Sequence, residues 1–243
     1  MKHRKIILFS PRPQKQGHYP CVPLSLLAIS RLLQKQELEI KIVDSYMHED
    51  YVSEVLRNCG EALCMGITCM TGFQIEDGLK VAQLVKKKYP NLPLVWGGWH
   101  PSILPEETIM SPYVDFVVRG QGERTFEELV QSLKDGFSNS FIPGLTYKRD
   151  GEPISCPDRN FEDINSFSSL PYHMVKLEKY VVKTDLGSRT THYFSSQGCP
   201  NRCAFCSEPL INERRWSGLN ATLVLDDIEW LIRNHGINGI ILV

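Results

Sequence analysis

Leu92-Pro93-Leu94-Val95-Trp96-Gly97-Gly98-Trp99-His100-Pro101 reads as a short buried strand that stops at a glycine pair. An apolar run bounded by Gly and Pro is the pattern of a strand covered on both faces. The same unit recurs on either side. Lys5 to Ser10 carries Ile6, Ile7, Leu8 and Phe9 and stops at Pro11. Glu39 to Asp44 alternates, Ala62 to Ile67 is apolar, and Val114 to Val118 ends at Gly120. Segments with helical spacing alternate with these strands: Pro23 to Gln36, Tyr51 to Cys59, Ile75 to Tyr89 and Phe126 to Lys134. The pattern predicts an α/β fold, a doubly wound parallel sheet of Rossmann-like type over residues 1–135. Lys86-Lys87-Lys88 at the end of the third helix predicts a solvated cap that complements the helix dipole.

Ligands of such sheets bind beyond the carboxyl ends of the strands. The loops to watch are Ser10 to Pro13, Thr68 to Gly72, Gly97 to Pro101 and Gly120 to Thr125. Glycines there let a ligand approach the backbone, and tight turns without a ligand are the plainer reading. His100 is either a ligand contact or a loop cap, and Arg12 and Arg119 suit local salt bridges equally well. Gly120-Gln121-Gly122-Glu123-Arg124-Thr125 imitates a dinucleotide fingerprint, but it lacks the third glycine and does not follow the first strand.

Residues 136–186 read as a linker, with Gly136 to Asn139 at its start. Leu145 to Lys148 and Pro153 to Ser155 flank Asp150-Gly151, a hairpin signal. From residue 187 the pattern restarts. Thr191 to Ser195 reads as a strand, Thr222 to Asn234 as an amphipathic helix stopped by Gly236, and Ile237 to Val243 as a second strand.

Composition narrows the function classes. The 243 residues hold 27 Lys+Arg against 28 Asp+Glu, a net charge of -1, so a basic nucleic-acid footprint is missing. No apolar run approaches the ~20 residues of a membrane span. The apolar stretch Ile6 to Phe9 is shorter than the roughly 7–15 residues of a secretory signal, which points to the cytoplasm. Eight cysteines stand at 21, 59, 64, 69, 156, 199, 203 and 206. The first five have no ligand spacing and read as buried or incidental thiols, Cys69 beside a candidate cofactor loop.

The last three fall in Gly198-Cys199-Pro200-Asn201-Arg202-Cys203-Ala204-Phe205-Cys206, a C-x3-C-x2-C spacing. Three thiolates on one loop can reach three irons of a four-iron cubane and leave the fourth open to a small molecule. Structural zinc wants four ligands in spaced pairs, and the next His here is His235. Core packing or a disulfide is a third reading.

Cys199, Cys203, Phe205 and Cys206 match the C-x3-C-x-aromatic-C motif, and the segment resembles radical S-adenosylmethionine (SAM) enzymes. The resemblance implies that the three cysteines hold a [4Fe-4S] cluster, with Phe205 shielding it. It implies that SAM chelates the open iron and is cleaved to methionine and a 5′-deoxyadenosyl radical. The electron would come from a donor such as flavodoxin or ferredoxin. It also implies a (β/α) TIM-type barrel with the cluster loop after its first strand.

Gly97-Gly98-Trp99-His100-Pro101 and Gly120-Gln121-Gly122-Glu123, in this order ahead of the cysteines, are similar to the cobalamin-binding radical SAM subfamily. This resemblance implies a cobalamin edge of Thr68, Gly97, Gly98, His100, Pro101, Gly120, Gly122 and Glu123. Where other cobalamin proteins have D-x-H-x-x-G, the nearest stretch is Asp44-Ser45-Tyr46-Met47-His48-Glu49-Asp50, with its histidine displaced. Cobalamin is therefore expected without a histidine ligand from this motif, and His48 as a surface loop residue. The implied activity is methyl transfer, cyclisation or rearrangement on a small molecule. Two alternatives stand beside it: a non-catalytic cobalamin or nucleotide-binding module with a structural metal site, and a radical SAM methylthiotransferase. The latter needs three further cysteines, and the surroundings of Cys21, Cys59 and Cys64 do not resemble that family. Residues 187–243 supply only the first part of a barrel, which needs on the order of 200 residues, so the chain is expected to be a fragment.

Overall fold

A computed structural model describes residues 5–14, 20–137 and 141–243. Positions 138 and 139 of the expected linker lie outside the described residues. β1 (Lys5–Ser10), β2 (Glu39–Asp44), β3 (Ala62–Thr68), β4 (Leu94–Gly97) and β5 (Phe116–Val118) pair in parallel, in the order β2-β1-β3-β4-β5. The helices between them are α1 (Leu24–Ser30), α2 (Tyr51–Asn58), α3 (Phe73–Lys88), α4 (Trp99–Ile103) and α5 (Pro105–Met110), with α6 (Gly122–Lys134) after β5.

Alternation along each strand divides the core in two. Ile7 and Phe9 join Val43, Met65, Ile67, Val81, Val85, Trp96 and Val117 on one face. Ile6 and Leu8 join Leu26, Cys64, Val95, Phe126 and Leu129 on the other. All four β1 side chains are 0% exposed, which is why its apolar run is unbroken. Each such side chain contributes about 1.5–3 kcal/mol on burial.

The segment expected as a linker adds to this sheet. β6 (Leu145–Arg149) and β7 (Glu152–Ser155) extend it antiparallel from β5. Their turn places Asp150 and Gly151 at φ 55° and 87°, the paired positive φ of a tight hairpin. Three further local expectations change. Gly97 to Pro101 is not all loop, because Trp99 already starts α4, and α6 begins at Gly122 rather than Phe126. Lys86 is no solvated cap: its ammonium meets Asp115 at 2.7 Å and donates to the Leu92 carbonyl at 2.9 Å. A partly buried carboxylate and two open carbonyls hold it, while Lys87 and Lys88 stay exposed.

The second unit is smaller. β8 (Val182–Thr184) pairs antiparallel with β9 (Gly187–Tyr193), which pairs in parallel with β12 (Gly239–Leu242). β10 (Ser196–Gly198) and β11 (Trp216–Gly218) form an antiparallel ribbon, with α7 (Glu208–Ile211) between them. α8 (Ala221–His235) crosses from β11 to β12 and ends at Gly236, whose φ is 60°. The expected strand at Thr191 to Ser195 thus ends early: β9 stops at Tyr193, and the ribbon begins only at Ser196. β12 is the edge of its sheet, and Leu242, Val243 and, on α8, Leu225 and Ile232 are each more than half exposed.

A third apolar cluster joins the two units: Val22 and Leu27 pack with Tyr172, Leu177, Tyr180, Tyr193, Leu231 and Ile237. Two of its tyrosines reach carboxylates, Tyr180 OH donating to Asp44 at 2.9 Å and Tyr193 OH to Asp227 at 2.9 Å, whereas the buried Tyr172 hydroxyl finds no hydrogen-bond partner among the described residues. Among the described residues no helix is long and apolar enough to cross a membrane.

α2 is tied to β2 through Glu54, which meets Arg57 at 2.5 Å and Lys41 at 3.0 Å. These hydrogen bonds, Arg57 first, hold its carboxyl at about 2 instead of 4.5. A depressed folded pKa contributes stability that is complete above the unfolded value and is lost as pH falls through the folded one. Urea unfolding should therefore show Glu54→Gln losing less stability than the unsubstituted chain between pH 4.5 and about 2.

Candidate functional site

The loops after β3, β4 and β5 meet at the carboxyl edge of the parallel sheet. The Cys69 N–H donates to the Gly97 carbonyl at 2.9 Å, and the His100 N–H to the Cys69 carbonyl at 3.1 Å, so the first two loops are zipped together. Thr68 Oγ1 lies 3.3 Å from Ser25 Oγ on α1. His100 Nδ1 lies 3.2 Å from Thr71 Oγ1, and burial pushes the His100 pKa down, which keeps the ring neutral at neutral pH. Ser102 Oγ donates to the Gly98 carbonyl at 2.7 Å and accepts the Gly120 N–H at 3.0 Å. One hydroxyl of α4 thereby joins the two glycine turns. This short helix lies in the segment expected as a loop, where Pro101 fits a first helical turn.

At Gly120 the backbone takes φ 63°, and a Cβ added there would meet nothing within 4 Å. The turn is therefore open to whatever lies against the edge. Gly97 and Gly122 back onto Val118, and Pro101 is buried in α4. Met70 and Trp99, 56% and 37% exposed, add apolar surface to the zipped loops.

Glu123 points the other way. It is buried and meets Arg31 at 2.6 Å, and the Arg31 guanidinium lies 4.7 Å from the Phe167 ring centroid and donates to the Ser168 carbonyl. Arg119 is also turned inward, donating to Asp158 at 2.8 Å, to the Cys156 carbonyl and to Thr146. Arg12 gives its backbone N–H to Asp77 at 2.9 Å and stacks on Tyr51. The edge thus groups Thr68, Gly97, Gly98, His100 and Gly120, whereas Glu123 and Arg119 brace its underside.

The cysteines fall into two sets. Cys59, Cys64, Cys69 and Cys156 are buried, and burial pushes the first three thiols up to about 12. Thiols so raised stay protonated and make poor ligands. Cys21 is exposed, 3.2 Å from His192 Nε2. Cys199, Cys203 and Cys206 occupy the loop at the tip of the β10–β11 ribbon. Gly198 precedes it at φ 87°, paired with Trp216, and a Cβ there would run into the Arg215 carbonyl. Only glycine lets the loop leave the ribbon in this way.

Cys199 is half-buried, and Cys203 and Cys206 are exposed. The Cys206 N–H donates to the Cys203 carbonyl at 3.0 Å, and Asn201 Nδ2 donates to Cys199 Sγ at 3.4 Å. Phe205 is 93% exposed and covers none of the thiols in this arrangement. Among the described residues no three His, Cys, Asp or Glu side chains converge closely enough to hold a metal ion. The donor set itself, three soft thiols on one exposed loop, fits an iron–sulfur cluster.

Residues 17–130 match the B12-binding domain family. The chain is 32% identical over 249 residues to an uncharacterized methyltransferase of Pyrococcus horikoshii, covering 99% of this chain and 53% of that protein. It is 26% identical over 247 residues to the anaerobic magnesium-protoporphyrin IX monomethyl ester cyclase of Synechocystis sp., covering 96% and 48%. Among solved structures, the radical S-adenosylmethionine methyltransferase TsrM from Kitasatospora setae aligns with a TM-score of 0.74 at 19% identity, over 99% of this chain and 47% of the other. The cobalamin-dependent S-adenosylmethionine radical enzyme OxsB aligns at 0.77 and 20% identity, over 99% and 34%. These structural likenesses concern the fold, and the chain spans about half the length of the two curated relatives. Residues 17–130 thus match a B12-binding domain, and the chain is similar along most of its length to cobalamin-dependent radical SAM proteins.

Proposed function

We propose that this chain supplies a cobalamin edge and a cluster loop to an enzyme that cleaves S-adenosylmethionine reductively, for methyl transfer or cyclisation on a small molecule. The observation that carries the reading is the three-thiol loop, raised on a glycine-stemmed ribbon and exposed beside a B12-binding domain. The relatives, named methyltransferases and a cyclase, support the same reaction classes. In this reading residues 1–135 form the cobalamin-type unit, 136–186 the connector and 187–243 the first part of a barrel.

When bound, a [4Fe-4S] cluster supplies one electron and an open iron site for SAM, and cobalamin supplies a methyl carrier. Cys199, Cys203 and Cys206 would hold three irons and leave the fourth without a protein ligand. Gly120 lets the edge come close to a corrin, Gly98 makes room for the Cys69 backbone in the zipped loops, and Met70 and Trp99 offer apolar surface. Exposure of Cys203 and Cys206 lets a small donor such as flavodoxin or ferredoxin approach directly. Raised, buried thiols at Cys59 and Cys64 argue against a second three-cysteine site of the methylthiotransferase kind.

Anaerobic reconstitution with iron and sulfide should give absorbance near ~400 nm. Cys203→Ala should abolish that absorbance while leaving the far-UV dichroism unchanged. Stoichiometric zinc with no iron would overturn the cluster reading in favour of a structural metal site. Gly120→Ala should cost about 1–2 kcal/mol of stability, from its left-handed φ of 63° and not from a clash, yet weaken cobalamin about tenfold in a spectroscopic titration. Equal binding by that variant would separate Gly120 from the site. Electron resonance of bound cob(II)alamin should show no nitrogen splitting from the protein, and His48→Ala should not alter it.

A further inference from the structure

The turn after β5 and the cysteine loop are joined by an unbroken path of side-chain amides. Gln121 stands between the two glycines of Gly120-Gln121-Gly122, at the start of α6, and is 7% exposed. Its Oε1 accepts the Glu162 N–H at 2.8 Å, and its Nε2 donates to the Glu162 carbonyl at 3.1 Å and to Gln197 Oε1 at 3.3 Å. Gln197 Nε2 donates to Asn212 Oδ1 at 3.3 Å, and Asn212 Nδ2 donates to Glu208 Oε1 at 2.5 Å. Every link donates in the same direction and the path ends on a carboxylate.

Its position along the chain is the telling feature. Gln197 lies two residues before Cys199, and Glu208 lies two residues after Cys206. The path therefore ties the two stems of the cysteine loop to each other and to the B12-binding domain. The connector reinforces it. Arg124 on α6 holds the Glu162 carboxylate at 3.1 Å. Asn165 donates to the Gly218 carbonyl at 3.1 Å and accepts the Asn220 N–H at 2.7 Å, pinning the far end of β11. Gln121, Asn212 and Glu208 are buried, so an amide left unpaired there carries a desolvation cost and the arrangement is held strongly.

We propose that Gln121, Gln197 and Asn212 are positioning residues that set the stems of the cysteine loop relative to the turn after β5. Coupling of this kind is reciprocal: a ligand that shifts the turn shifts the loop, and a group that orders the loop steadies the turn. The significance for catalysis rests on the cluster reading given above, whereas the coupling itself does not.

The test has two arms. In the first, hydrogen exchange is followed in the metal-free 243-residue chain with Gln121→Ala, Gln197→Ala and the double variant. Removing Gln121, which lies outside the ribbon, should speed amide exchange in β10 and β11 about tenfold, with β1 and β3 unchanged. The double variant should exchange no faster than Gln197→Ala alone, because both substitutions cut one path. Unchanged ribbon exchange in Gln121→Ala, or additive effects, would overturn the coupling. If Gln121→Ala does not fold, Gln121→Asn gives the same reading, since its amide is one methylene too short to reach Gln197. In the second arm the iron-loaded chain carries Gln121→Ala, and the resonance signal of the reduced cluster should shift although iron content does not. An unshifted signal would overturn the positioning role. Failure of the unsubstituted chain to take up iron would instead sink the cluster reading and leave the exchange result standing.

Discussion

Parallel strands cannot be joined by a tight turn, so each must return across the sheet before the next begins. That constraint places every carboxyl end of β1 to β5 on one edge and gives each strand a loop there. The rest of the molecule follows from it. Apolar residues must cover both faces, which accounts for the two core clusters and for the unbroken apolar run of β1. Polar backbone at the edge must find partners, and the zipped loops of Cys69, Gly97 and His100 supply them. What remains open at that edge, around Gly120, is the surface on which a ligand can rest.

The connector does more than span a gap. It is held to the B12-binding domain by Arg31, which is paired with the buried Glu123 and reaches the Phe167 ring and the Ser168 carbonyl, by Arg119 with Asp158, and by Gln121 with Glu162. Buried ion pairs add little net stability, but removal of one partner costs about 3–5 kcal/mol. Such contacts penalise alternative placements rather than reward the right one. Together with Tyr180, which reaches Asp44, and the third apolar cluster, they pack the two units against each other.

Much of this was legible in the sequence. Apolar runs located β1, β3, β4 and β5, because a strand buried on both faces must be apolar throughout; alternation located the edge strand β2, and Asp150-Gly151 the hairpin. Membership of that hairpin in the main sheet was not legible, since pairing with β5 is a non-local choice. α4 and α5 were hidden because Pro101 and Pro105 break a helix in its interior but suit its start. β10 and β11 are three residues each, too short for any periodicity. Spacing alone drew attention to Cys199, Cys203 and Cys206. The inward turn of Glu123 was invisible, because its partner lies 92 residues away. Gln121 was passed over inside a glycine motif, where an uncharged side chain looked incidental.

The free edge of β12 has a further consequence. Among the described residues its outer row of N–H and C=O groups has no strand beside it, and Leu242, Val243, Leu225 and Ile232 present apolar surface nearby. An uncovered strand of this kind is a template for another copy. With a net charge of only -1, long-range repulsion between copies is weak. Colloidal behaviour of the isolated 243-residue chain is therefore governed by this corner, and a lysine placed on β12 is the economical way to keep it dispersed at high concentration.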